Sequence, residues 1–317
     1  MSSLLIKNGT VVLEKNILRA DILTEDGKVT RIAKKIRSKT DEVVDARGKF
    51  VLPGVVDVHA HIGDPEFTRR EDFVSGTQSA AGGGVTTFVD MVLKTPVDNA
   101  EAVREKISRG TQQGIVDFAI HAGMMNSANI ANTGTLAKLG VCSFKAFMCA
   151  PYYIDRATLL ALMKETAKFE AITNVHAEDE ELSQRLTTDL KRARRVDPIA
   201  HNESKPNVVE EKAINEAIEL ARSAGTKLHI SHMSTSEGVR LVAAAKRDRV
   251  GVSAETCPHY LVLTRADVLK MGPYLKMSPP LKTEADAQAL WHGLADGTVE
   301  MISSEHAPGE LDEKEVG

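Results

Sequence analysis

From Val55 onward the chain alternates between short apolar runs and amphipathic stretches of helix length. The apolar runs fall at residues 55–61, 85–90, 115–121, 142–147, 172–176, 227–232, 250–256 and 299–304. Between most of them lie helical stretches, clearest at Ala100–Gln112, Ala157–Phe169, Val208–Ala224 and Glu237–Asp248. There the apolar residues recur at the three- and four-residue spacing of one helix face. Strands joined through crossover helices pair parallel, and eight in succession favour a closed α/β barrel of the (β/α)8 TIM type over an open sheet. Such barrels build their sites at the C-terminal ends of the strands, so the fold itself says where to look for chemistry.

Residues 1–54 follow a different rhythm. Leu4–Val12, Arg19–Thr24 and Val29–Ile32 are short runs rich in β-branched residues, and Asn8-Gly9 and Asp26-Gly27 are turn signals. Leu52-Pro53-Gly54 ends the pattern. We expect a small N-terminal β-domain over 1–54 and the barrel over 55–317.

Composition excludes several classes of partner. The net charge of −4 gives no basic surface for nucleic acid, and Lys191-Arg-Ala-Arg-Arg195 is short enough to be a solvated helix face. No segment is apolar for long enough to span a bilayer, and the N-terminus lacks the basic start and apolar core of a signal peptide. Three cysteines without CxxC spacing suit a reducing compartment, so a cytoplasmic location is expected, with no membrane or nucleic-acid partner.

Residues able to hold metal stand at the ends of five of the eight runs: His59 and His61, Lys145, His176, His232 and Glu305. His59 and His61 are two apart and share a strand face, with Asp57 on the same side as support. Taken alone, each residue has a plainer reading. His-x-His is a weak signal, a lysine on an apolar strand can snorkel to the rim, and a lone histidine is more often a hydrogen-bonded structural residue. Glu305 competes with a helix-capping rim carboxylate. Together they read as a two-metal hydrolase centre. Among imidazoles and two dications an ammonium is disfavoured, whereas a lysine carbamate formed with CO2 is an anionic ligand able to bridge both ions. Ions roughly 3.5–4 Å apart would hold a bridging hydroxide and polarise a carbonyl. Glu305 is placed to take the nucleophile's proton and return it to a leaving nitrogen. His229 falls on the opposite strand parity from His232 and is read as structural, His259 as a supporting or loop residue, and His121 as a weaker ligand candidate at a strand end.

The motifs Pro53-Gly-Val-Val-Asp-Val-His-Ala-His61, Ala80-Ala-Gly-Gly-Gly-Val-Thr-Thr87, Ser143-Phe-Lys-Ala-Phe-Met148, Val175-His-Ala-Glu-Asp179, His229-Ile-Ser-His-Met-Ser-Thr235, Glu255-Thr-Cys-Pro-His-Tyr-Leu261, Ser278-Pro-Pro-Leu-Lys282 and Ser304-Glu-His-Ala-Pro308 run through nearly the whole chain. In that order the chain resembles the cyclic amidohydrolases: dihydroorotase, hydantoinase/dihydropyrimidinase and allantoinase. The resemblance implies a barrel with a composite β-domain and two divalent ions, usually zinc. Their ligands would be His59, His61, carboxylated Lys145, His176 and His232, with Glu305 as ligand and proton shuttle. It implies opening of a small cyclic amide, dihydroorotase-like in the first instance. Hydantoinase- or allantoinase-type substrates, or a non-catalytic scaffold relative, are the alternatives. Ser278 and Tyr152 (or Tyr153) are the substrate-pocket candidates, and a homo-oligomer is expected.

The chain departs from the pattern at three places. The strand-eight residue is usually Asp and here is Glu305. Dihydroorotases usually carry Arg two residues after the second histidine, where this chain has Gly63; Arg69, Arg70 and Lys94 are the nearby cations. Their Asn-Thr after Asp-Met-Pro is replaced by Met91-Val-Leu-Lys-Thr-Pro96, and the segments at 255–261 and 278–281 are closer to allantoinases and hydantoinases. The chain also stops soon after Pro308, so we expect a fragment whose last barrel helix and return strands are missing.

Overall fold

The computed structural model of the protein describes residues 2–92 and 95–315. Lys94 lies outside them. The chain divides into two compact units, Met1–Val55 and Val56–Gly317.

The first unit is a five-stranded sheet. It comprises β1 (Ser3–Val12), β2 (Ile17–Glu25), β3 (Lys28–Ala33), β4 (Glu42–Asp45) and β5 (Phe50–Val51). β1, β2 and β3 form an antiparallel meander, and β4 and β5 add to β1 in parallel. Asp26 and Gly27 join β2 to β3 with φ of 51° and 74°, the left-handed pair that a two-residue hairpin requires. The other turn signal has a different outcome. Asn8 has φ of 63°, yet β1 runs straight through it, and the register with β2 shifts between Ile6 and Gly9. Asn8-Gly9 is therefore a bulge, held by Asp21, whose carboxylate accepts the Asn8 amide at 2.9 Å, and by Asp45, which accepts the side-chain amide at 2.9 Å. Positive φ was correctly signalled there, but the flanking residues continue to pair and no reversal follows.

The second unit carries eight strands. They are β6 (Val55–Ala60), β7 (Val85–Asp90), β8 (Asp117–Gly123), β9 (Ser143–Phe147), β10 (Ile172–His176), β11 (Lys227–Ile230), β12 (Val252–Thr256) and β13 (Met301–Ile302). They neighbour one another in chain order. Pairing from β7 to β13 is parallel throughout. The sheet closes on itself where Ala60 bridges His306 and the His61 amide donates to the His306 carbonyl at 2.7 Å. Asp57 seals the same seam by accepting the Ser304 amide at 3.0 Å. This is the TIM-type barrel expected from the alternation.

Helices start close after the strands because short polar residues cap them. Asp72, Asn99, Asp155, Asp179, Thr235 and Thr283 each accept a backbone N–H of their helix's first turn, worth about 1 kcal/mol apiece. Between sheet and helices Phe144, Val175, Leu228 and Ile230 pack with Leu162, Ile214, Ala217 and Val242. Each is fully buried, worth roughly 1.5–3 kcal/mol for the larger side chains. A rigid outer layer thus fixes the strand ends and the side chains they present.

Candidate metal centre

His59 lies in β6 and His61 just beyond it, Lys145 lies within β9, and His176 closes β10. His232 follows β11 by two residues and Glu305 follows β13 by three. Both strands end sooner than their apolar runs suggest, and both residues take left-handed backbone conformations, φ 36° at His232 and 49° at Glu305. Non-glycine residues rarely adopt such φ unless the surroundings impose it, and they concentrate at functional sites. The result is one row of four buried imidazoles. Ring centroids are 5.2 Å apart for His61 and His59, 5.4 Å for His59 and His232, and 4.6 Å for His232 and His176. One ligand atom each from His59, His61 and Glu305 lie within 4.8 Å of one another.

Hydrogen bonds decide which nitrogen each ring leaves over. His59 Nδ1 is paired with Glu255, and His61 Nδ1 with the Met91 carbonyl at 3.1 Å, so Nε2 is left on both. His176 uses Nε2 against Glu178 at 2.8 Å and leaves Nδ1. His232 Nδ1 is buried with no hydrogen-bond partner among the described residues. Burial holds all four imidazoles below the ordinary histidine range. At His59 and His176 the carboxylate partners oppose that shift without reversing it. Neutral rings present lone pairs, which is the form a metal ion needs.

Lys145 is buried beneath the row. Its Nζ donates to Ser231 Oγ and to Asn174 Oδ1 at 3.4 Å, and sits 5.3 Å from the Phe147 ring centroid. Burial brings its pKa down to about 8, against the pull of Glu255 and Glu305. Glu305 moves the other way: burial pushes its carboxyl up to about 7, with the Lys145 charge opposing.

Several residues that hold this arrangement carried no sequence signal of their own. Glu255 pairs with His59, accepts the His232 amide at 3.3 Å, and has its second oxygen 3.4 Å from His229 Nε2. His229 Nε2 therefore faces the carboxylate that accepts the His232 backbone amide, and strand parity does not extend to His232 because β11 stops at Ile230. Glu178 bonds His176 and Lys205, and although burial would raise its pKa these bonds bring it to about 2. Their place inside the motifs at 175–179 and 255–261 was visible, but not the contacts: Glu255 in β12 reaches His59 in β6, and Glu178 reaches Lys205 at a helix junction.

The remaining candidates separate cleanly. Asp57 supports the seam described above and bonds the His59 amide at 3.2 Å. His121 is not at a strand end, because β8 continues to Gly123, and both its nitrogens are taken, by Ser143 Oγ at 2.5 Å and the Val58 carbonyl at 3.0 Å. His259 Nε2 is buried without a partner among the described residues, its ring against Tyr260. Tyr152 lies 5.3 Å from the Phe147 ring, which in turn lies 5.8 Å from His176, whereas Tyr153 is 53% exposed. Ser278 Oγ accepts from Lys205 at 3.0 Å. Arg69 and Arg70 are engaged in ion pairs with Glu310 and Glu313.

Residues 50–269 match the amidohydrolase family, and the chain belongs to it. It is 37% identical over 312 residues to an allantoinase from Rubrobacter xylanophilus, spanning 96% of this chain and 68% of that one. A dihydroorotase from Lactobacillus helveticus is 34% identical over 317 residues, spanning 98% and 73%. Among solved structures, L-hydantoinase (dihydropyrimidinase) from Arthrobacter aurescens superimposes with a TM-score of 0.94 at 33% identity, covering 100% of this chain and 72% of that one. The chain is thus a cyclic amidohydrolase, and metal dependence is a property of its family.

Proposed function

We propose that the protein opens a cyclic amide or ureide ring by hydrolysis at the row of four histidines, using two divalent ions. The observation that carries the reading is the set of neutral, buried imidazoles with one nitrogen each left over, above all the orphaned Nδ1 of His232. A buried polar atom without a partner costs about 1–3 kcal/mol, and a ligated ion removes that cost. His59, His61, His176 and His232 would hold the ions, with Lys145 as a carbamate and Glu305 supplying oxygen ligands. A lysine whose pKa is near 8 has enough neutral amine to add CO2, so the donor set fits. Imidazole and carboxylate-type oxygen suit zinc. When bound, the ions supply an acidified water as nucleophile and polarise the amide carbonyl.

The protein's own residues do the rest. Glu255 fixes the tautomer and tilt of His59, and Glu178 does so for His176. A Glu305 carboxylate oxygen accepts the proton of the attacking water and hands it to the departing nitrogen; a pKa near 7 is matched to that task. Ser278, bonded to Lys205, and Tyr152, packed on Phe147 beside His176, would contact the ring. The seam between β6 and β13 sets the distance from His59 and His61 to Glu305.

A neutral ureide of the allantoin or hydantoin type is favoured over dihydroorotate. A side-chain carbon built at Gly63 would lie 2.9 Å from both Cβ and the carbonyl oxygen of Phe67, so this loop has no room for a cation there. Arg69 and Arg70 are engaged elsewhere. Relatives named allantoinase and L-hydantoinase support the same choice. The test is protein prepared with zinc and bicarbonate, assayed for metal content and for opening of allantoin, hydantoin, dihydrouracil and dihydroorotate. About two ions per chain and turnover of a neutral ureide are expected. Dihydroorotate as the best substrate would overturn the substrate choice, and absence of both metal and turnover would leave a scaffold relative.

A further inference from the structure

We propose that Lys205 is a positioning residue that ties the metal-ligand side of the centre to the substrate-side segment 277–282, and so sets the spacing between them. The inference rests on the hydrolase reading above. Lys205 sits at the junction of helices Pro198–Ser204 and Asn207–Ala224, ahead of Pro206. Its side chain is only 15% exposed. The ammonium spans two groups: it donates to Glu178 Oε2 at 2.6 Å and to Ser278 Oγ at 3.0 Å. The same Glu178 oxygen is 2.8 Å from His176 Nε2. A continuous path therefore runs from His176 through Glu178 and Lys205 to Ser278.

The junction is fastened to the 277–282 segment at three further points. His201 Nε2 bonds the Met277 carbonyl at 2.8 Å, Asn202 donates to the Leu281 carbonyl at 2.8 Å, and Lys282 donates to the Lys205 carbonyl at 2.6 Å. These three hold the segment to the junction but do not reach the histidine row. The Lys205 side chain makes that connection. A point charge on a flexible stem is suited to bridging a carboxylate and a hydroxyl, and burial in a low-dielectric pocket strengthens both bonds. Removing it releases Ser278 and leaves Glu178 held only by His176 and Cys149 among the described residues. A misplacement of about 1 Å between substrate and catalytic groups can cost on the order of 100-fold in rate.

The experiment compares wild type, Lys205→Met, Lys205→Arg, Ser278→Ala and the Lys205→Met/Ser278→Ala double variant, all loaded with zinc. Two readouts are taken: kcat and KM on the best substrate of the panel, and the rate at which a chelator strips the zinc. Lys205→Met is expected to raise KM and lower kcat/KM by about 10- to 100-fold and to speed zinc loss by about 10-fold. Lys205→Arg should restore most of both, because it keeps the charge and the reach. The double variant should be no worse in KM than Lys205→Met alone, since Ser278 is already adrift. A stability defect alone would lower the active fraction and leave KM and the zinc-loss rate of the folded protein unmoved. Unchanged KM and unchanged zinc loss in Lys205→Met, with active wild type, would overturn this inference and leave the hydrolase reading standing. Additive effects in the double variant would also overturn it. Wild type that neither holds zinc nor opens a ring would bring down the hydrolase reading, and this inference with it.

Discussion

Two levels of the barrel interior hold histidines, and they are finished differently. At the rim, His59, His61, His176 and His232 each keep a nitrogen with no bond among the described residues, and His232 and Glu305 sit in left-handed backbone. Lower down, His121 and His229 border a cavity of about 210 Å³ together with Cys142, Ser143 and Ser253. There His121 has both nitrogens occupied, and His229 Nδ1 is paired with Ser253 Oγ at 2.8 Å. Residue type and burial are alike at the two levels. What separates a structural histidine such as His121 from a candidate ligand is that a serine hydroxyl already meets the nitrogen its carbonyl-bound N–H leaves over. The rim has left that capacity unspent, and the lower level has used it.

The largest effect should come from the rim itself. Lys145→Ala removes the group expected to join the two ions, and zinc content should fall well below two per chain. Activity should fall beyond the roughly 10- to 100-fold that follows loss of an outer partner. Metal analysis beside the ring-opening assay checks both. Full activity in Lys145→Ala would show that the rim histidines are, after all, of the same kind as those beneath them.

A smaller effect should follow from changing a supporting group between the levels. Glu255 bonds His59 at the rim and approaches His229 from above, so it belongs to both. Glu255→Gln keeps the shape but removes the charge and puts a donor where an acceptor is needed. Zinc affinity is expected to drop by about 10- to 100-fold, measured by competition with a chelator. An affinity within about twofold of wild type would mean that His59 needs no fixed tautomer, against the general behaviour of ligating histidines.

The same contrast explains what could be read from the chain and what could not. The alternation of apolar runs and amphipathic helices gave the barrel, and His59, His61, Lys145, His176, His232 and Glu305 stand out as candidates because the runs end at or near them. Strand ends were where local pattern misled. Short runs such as 227–232 read as strand to their last residue, whereas β11 stops at Ile230 and the next turn swings His232 into place. His121 was given a rim position for the converse reason, since β8 runs two residues past it. Glu255, Asn174, Ser231 and Lys205 were not singled out as partners because each acts on a residue 27 to 196 positions away, brought close by the fold rather than by spacing, while Glu178, two residues from His176, carried no pattern that marked it as a partner. Asn8-Gly9 shows the same limit in the small sheet: the dipeptide fixes φ, while pairing of its neighbours decides between bulge and turn.

The smallest effect is expected at the lower level, and it isolates the comparison most directly. Ser143→Ala removes the hydroxyl that occupies His121 Nδ1, leaving that nitrogen buried with Cys142 Sγ at 3.6 Å as its nearest substitute. An unmet buried polar group costs about 1–3 kcal/mol, which for a unit of this size lowers Tm by a few degrees, at about 2–4 °C per kcal/mol. The rim is untouched, so zinc content and kcat/KM should stay within about twofold of wild type. A thermal melt of the zinc-loaded protein and a metal assay on the same sample read the two quantities separately. Loss of stability with zinc retained is the outcome that a purely structural lower level demands. Loss of zinc in Ser143→Ala would instead make the two levels one site, with the serine-bound histidines tuning the ligands above them.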